Sequence, residues 1–303
     1  MEALLLRAAL LAGYGREAAP LAQKLAAVVQ AGAARSCLDA GALVQLTVAA
    51  PGPPDLQVGL RLADPFDANA LTELLPPPTL GYLAQGLDRL PPADHASMGT
   101  WLFWSETRQS VYVDLRDPDP ACALKRLQCL LTPQQQDRLE QVAIPVHQGR
   151  PWAVRLEATS AGIKRVQVHW LLHRHTLVHE VAEGIAPGHW PMALEVLGHL
   201  LKRPGHSGRW VIATSLNNQN SPGLSIANSG WALVPEDAEK HRAIARLFKQ
   251  LGGPQDYAEA LWSLCQGQVG PKWRVGRACE LHVHGNHIHT KLFFVPQPDA
   301  NQV

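Results

Sequence analysis

The chain has 303 residues and carries 27 Lys+Arg against 26 Asp+Glu, a formal net charge of +1. That length suits one large domain with a sizeable core, and the near balance of charge excludes a nucleic-acid partner held by surplus cations. Five cysteines (Cys37, Cys122, Cys129, Cys265 and Cys279) are odd in number and form no CxxC pair, which argues against a disulfide framework or thiolate zinc site and for a reducing compartment.

The first residues, MEALLLRAALLAGYG, hold Glu2 and Arg7 within a short apolar run and have no basic stretch before it, so no signal peptide is expected. No uninterrupted apolar run approaches the ~18 residues of a membrane span. The expectation is a cytoplasmic protein without a membrane partner. Residues 3–33 keep a helical spacing of Leu and Ala with Gly and Pro near the middle, so 1–35 reads as a leading helical segment of one domain spanning 1–303. Segments 37–48 and 55–63 flank Pro51-Gly52-Pro53-Pro54, a hairpin signature. Helix-like spacing follows over 66–90, broken at Pro76-Pro77-Pro78.

The same phrase then recurs. Strands near 99–105 and 109–116 precede helices near 119–131 and 132–143, the latter opening on Thr132-Pro133 as N-cap and first helical residue. Strands near 151–159 and 163–172 precede helices near 174–184 and 190–203, and strands near 208–216 and 223–234 precede helices near 236–251 and 255–266. The pair 273–284 and 287–295 closes the chain. Hairpins starting near 37, 99, 151, 208 and 273, with helices between them, form a repeated ββαα unit. The fold class expected is α+β, a barrel of about ten antiparallel strands with helices outside, since closure removes exposed sheet edges. The competing arrangement is a split-sheet sandwich.

Alternation within the strands supports the barrel. Val166, Val168, Trp170 and Leu172 share one face, and Arg165, Gln167 and His169 the other. Leu56, Val58, Leu60 and Leu62 likewise oppose Gln57, Gly59 and Arg61. With the apolar faces against helices, the lumen is polar and cationic, as a ligand chamber requires; in a half-open sheet the polar face would meet water instead.

No DDxxD-type aspartate cluster occurs, so a diphosphate caged only by carboxylates and magnesium is disfavoured. Arg61, Arg165, His169 and Lys291 supply the alternative, direct charge-assisted bonds to phosphate oxygens. The tail reads His282-Val283-His284-Gly285-Asn286-His287-Ile288-His289, where a two-residue Gly-Asn turn pairs His284 with His287 and His282 with His289. Those four imidazoles can hold zinc or another divalent metal, which makes a His-ligated metal-binding barrel or metalloenzyme the alternative function; the plainer reading is a polar lumen wall. His173, His175, His179 and Glu180 lack the HExxH order and read as a helix surface. Nine Trp and four Tyr provide aromatic faces of the kind that stabilise carbocations.

In order along the chain, the sequence resembles the cyanobactin-type peptide prenyltransferases of the ABBA or PT-barrel class. The resemblance is carried by Ser36-Cys37-Leu38-Asp39-Ala40, by Arg61, by the alternating Arg165 to His169, by Gly223-Leu224-Ser225 with Ala227-Asn228, by Trp273-Arg274-Val275-Gly276, and by Lys291-Leu292-Phe293-Phe294. It implies transfer of a prenyl group from an allylic diphosphate, with Mg2+, to a Tyr, Trp, His or Arg side chain of a ribosomally made, macrocyclic peptide. By the same resemblance Asp39 is the base, aspartate standing where that family has glutamate. Arg61, Arg165, His169 and Lys291 form the diphosphate clamp, and Tyr112 and Trp273 belong to the aromatic chamber. The family closes its prenyl pocket with a bulky aromatic just before the Gly-Leu-Ser segment; here Asn220, Ser221 and Pro222 leave it open, so geranyl is expected over dimethylallyl diphosphate.

Overall fold

The computed structural model describes residues 2–11, 14–33, 42–50, 55–62, 100–105, 108–115, 119–159, 162–185, 210–217, 224–228, 273–284 and 287–296. The helices expected at 66–90, 190–203, 236–251 and 255–266, with Asp39 and Ser221, lie outside the described residues.

The leading segment is two helices, α1 (Glu2–Leu11) and α2 (Ala18–Ala33), joined through a single 3-10 turn at Gly15–Glu17. Gly15 has φ +54°, a conformation that side-chain-bearing residues rarely adopt, and it breaks the helix there. Pro20 falls in the first turn of α2, where its missing N–H has no helical partner to lose. Leu21, Ala22, Leu25 and Ala26 recur on one buried face of α2, and Lys24 places its ammonium 5.8 Å from the centre of the Trp104 ring.

Ten strands follow: β1 (Ala42–Ala50), β2 (Asp55–Leu62), β3 (Thr100–Trp104), β4 (Gln109–Asp114), β5 (Gly149–Thr159), β6 (Gly162–Leu172), β7 (Trp210–Ser215), β8 (Leu224–Asn228), β9 (Trp273–His284) and β10 (His287–Pro296). Each is antiparallel to its neighbours, and β1 pairs with both β2 and β10, so the sheet closes into a barrel. The five expected hairpins are all present.

Helices α3 (Pro120–Leu130) and α4 (Pro133–Val142) separate the second hairpin from the third. The Asp119 carboxylate accepts the Ala121 N–H at 2.9 Å at the start of α3. Thr132 caps α4 as expected and forms a reciprocal capping box with Gln135, with Pro133 in the first turn. One boundary differs from expectation: α5 begins at Val178 rather than near 174 and runs to Ile185. The His173 N–H and the Thr176 hydroxyl both donate to the Gln148 carbonyl, and His173 Nε2 lies 2.9 Å from the Val146 oxygen. These bonds hold 173–176 as a turn, so His173 and His175 are not on a helix surface.

The two faces of the strands divide as their alternation implies. Leu56, Val58, Leu60, Leu102, Val111, Val154, Leu156, Val166, Val168 and Trp170 are buried under the helical layer, α2 against β2 and α3 against β5. Burial of such side chains stabilises the fold by about 1.5–3 kcal/mol each. Trp170 keeps its indole N–H satisfied by donating to Thr214 Oγ1 at 3.2 Å. The opposite face is buried too: Gln57, Ser110, Asp114, Arg155, Glu157, Gln167 and His169 are all removed from solvent. This face does not meet bulk water; it lines the barrel.

Candidate active site in the barrel lumen

Register places the lumen residues in cross-strand rows. One row runs Arg61, Trp101, Tyr112, Arg155, Gln167, Ser215 across β2 to β7. The next, toward one end of the barrel, runs Gly59, Phe103, Ser110, Glu157, Arg165. On the other side a third runs Asp114, Ala153, His169, Ala213, Ser225, His282, His289.

The first two rows carry a guanidinium cluster. Arg155 donates from Nε at 3.2 Å and from Nη2 at 3.0 Å to the Ser110 hydroxyl. The cross-strand pair fixes its fork inside the barrel. Arg108, at the β3–β4 connection, places Nε 3.0 Å from Glu157 Oε1. Its backbone is held by Ser105, whose N–H donates to the Arg108 carbonyl and whose Oγ accepts the Arg108 N–H. Burial pushes the Arg165 guanidinium down to about 10; Glu157 opposes that shift, while Arg155 and Arg108 add to it. A cation so placed has lost water and faces like charges, so an incoming anion relieves both penalties.

Aromatic and apolar side chains flank the cluster. Trp101 and Phe103 stack with ring centres 6.5 Å apart. Tyr112 meets the His169 ring edge-on at 4.8 Å. Tyr112 also packs on a buried group of Trp152, Ala153, Leu171 and Val211. The lumen thus changes from cationic at Arg155, Glu157 and Arg165 to apolar at Leu171 and Val211, along the axis of β5 and β6. Gln167, 1% exposed, has an Nε2 without a hydrogen-bond partner between those regions. Buried donors of this kind mark a place where a ligand or water completes the bonding.

Among the expected site residues, Arg165, His169 and Tyr112 come together around this lumen. Arg61 has its backbone in the same row as Tyr112, and the Lys291 backbone lies opposite Glu280 and Thr47 in the strand register. Trp273 opens β9 opposite Pro296. The tail register is the one its turn residues imply, His284 opposite His287 and His282 opposite His289. Arg155, Glu157, Ser110 and Arg108 were not singled out from the sequence. The alternation of Val154 and Leu156 with Arg155 and Glu157 in β5 was available as a signal. Nothing local marks Arg108. Glu157 adds an internal counter-charge to the polar, cationic lumen that the alternation implies.

No family model and no curated protein matches the sequence. Solved structures do match the fold. A 5-dimethylallyl tryptophan synthase from Streptomyces coelicolor in complex with DMASPP and Trp aligns with TM-score 0.74 at 14% identity, over 100% of this chain and 95% of that one. The chain has the ABBA prenyltransferase barrel fold. A 6-dimethylallyltryptophan synthase from Micromonospora olivasterospora, also in complex with DMASPP and Trp, gives TM-score 0.69 at 15% identity, over 97% and 95% of the two chains. PriB with product diphosphate gives 0.68 at 14% identity, over 99% and 98%. These ABBA barrels cover the whole length of the chain, so the fold does not rest on a shared fragment.

Proposed function

We propose that this protein is a prenyltransferase that moves an isoprenyl group from an allylic diphosphate to a nucleophilic side chain inside the barrel, with 1–303 acting as one domain. The observation that carries the reading is the cluster of buried Arg155 with the partly buried Arg165 and half-exposed Arg108, beside an aromatic wall in a closed barrel. In this reading those guanidinium groups, with Arg61, His169 and Lys291, take the diphosphate oxygens. Their preorganised charge offsets what develops on the leaving group as the allylic C–O bond breaks and its electron pair departs with the diphosphate. Tyr112, Trp101, Phe103 and Trp273 face the allylic cation and keep out the water that would quench it. His169 orients Tyr112 from the adjacent row. The acceptor attacks the cation, and Asp39 takes its proton.

The side chains described around Arg155 and Glu157 do not fit a magnesium ion held by the protein. Among the side chains whose burial is described, its buried carboxylates are Asp114 and Glu157; Glu157 is paired with Arg108 and beside Arg165, which suits that part of the site to an anion rather than a divalent cation. No step is assigned to a metal.

For the acceptor and donor, the reading rests on the motif resemblance and on Asn220-Ser221-Pro222. The acceptor is a side chain of a macrocyclic ribosomal peptide. Geranyl diphosphate is preferred, because each additional CH₂ buried in a dry cavity contributes about 0.8 kcal/mol. The test is a competition: equal concentrations of geranyl and dimethylallyl diphosphates with free tryptophan, linear peptides and cyclic peptides, read by mass spectrometry. Geranylated cyclic peptide is the expected product. Dimethylallyl tryptophan instead would replace both finer assignments while keeping the transferase, and absence of any transfer would overturn the whole reading.

A further inference from the structure

Glu157 is the feature of the lumen that a diphosphate site does not by itself call for. It is buried, it lies at the centre of the cation cluster, and it carries the same sign of charge as the proposed donor. Cross-strand it faces Ser110 on one side and Arg165 on the other. Its Oε1 binds the Nε of Arg108, whose side chain is 43% exposed at the barrel end. Arg155 occupies the same strand two residues away and is already engaged by Ser110.

Among the described residues the cluster has three guanidinium groups and one carboxylate. Glu157 shares these guanidinium groups with any anion that enters, so carboxylate and ligand compete for them. Arg165 feels Glu157, Arg155 and Arg108 together, which puts all four groups within one electrostatic neighbourhood.

We propose that Glu157 is a positioning residue acting as a built-in stand-in for the departing diphosphate. Before the donor enters, it holds Arg108 across the end of the lumen and partly neutralises Arg165. After transfer, its competition for the same two guanidinium groups weakens retention of the inorganic diphosphate product. The carboxylate lowers the affinity of the site for its own product while keeping the arginines in place. This inference rests on the proposed prenyltransferase reading, and it assigns the release of product rather than the chemical step.

The test is calorimetric titration of inorganic pyrophosphate into the intact protein at low and high salt, for the unsubstituted chain, Glu157→Gln and Arg108→Gln. Glutamine keeps the shape of Glu157 and an oxygen for Arg108, and removes only the charge. Glu157→Gln should bind pyrophosphate about tenfold more tightly, ~1.4 kcal/mol, with a steeper salt dependence; a prop for Arg108 alone would give weaker binding. Arg108→Gln, a change at a half-exposed side chain, should bind about tenfold more weakly, because Glu157 then opposes the ligand with one partner fewer. Equal or weaker binding by a folded Glu157→Gln protein overturns the proposal while leaving the transferase reading intact. If Glu157→Gln does not fold, unchanged affinity in Arg108→Gln overturns it. No pyrophosphate binding by the unsubstituted chain overturns both.

Discussion

The partly buried guanidinium of Arg165 carries a cost in stability. Burial first of all lowers the Arg165 guanidinium from its ordinary value to about 10. The folded state therefore holds this proton less tightly than the unfolded chain does. The penalty is fully present below about pH 10 and lifts as pH rises from there toward the ordinary arginine value. At neutral pH Arg165 costs stability unless an anion joins it. Arg165→Gln should accordingly raise the melting temperature in differential scanning calorimetry, by roughly 2 °C for each kcal/mol relieved. The same variant should lose about tenfold or more in pyrophosphate affinity, since a charge-assisted bond contributes about 1.5–3 kcal/mol. A lowered melting temperature would show that Arg165 is held by internal partners instead. Arg165 and His169 were legible because each alternates with Val or Trp at period two. Arg155 and Glu157 obey the same rule, yet Ala153 dilutes the polar face of β5. Arg108 was not legible, because a hairpin connection has no period to place it.

Helix and strand boundaries followed local chemistry wherever the cap was local. The box at the start of α4 joins Thr132 and Gln135, three residues apart, so sequence alone contains both partners. Thr132→Ala should destabilise the protein by about 1 kcal/mol, measured by urea unfolding with the slope unchanged; an unaltered midpoint would mean that the Gln136 contacts to Gln128 and Leu131 fix this helix end instead. The start of α5 was misplaced for the opposite reason. Its preceding turn is tied to Gln148, 28 residues away from Thr176, and no window around 174 contains that bond.

Closure is the property of the molecule from which the site follows. Each strand is paired on both edges, and β9 and β10 are the elements that join β8 back to β1. Removing residues 273–303 should leave two open edges and yield aggregated protein in size-exclusion chromatography; a monomeric, folded truncation would show that the ring is dispensable. The ten-strand count, the hairpin order, the tail register and the polar face of β2 and β6 are all legible in the residue order, because turn residues and a period of two are local signals. Only the tertiary structure decided that the polar face is enclosed, and that Arg108, Arg155, Glu157 and Arg165, drawn from three chain segments, share one chamber. The reason is geometric: a strand's alternation says that two faces differ, but which is inside depends on the ring closing through β1 and β10, a contact between opposite ends of the chain.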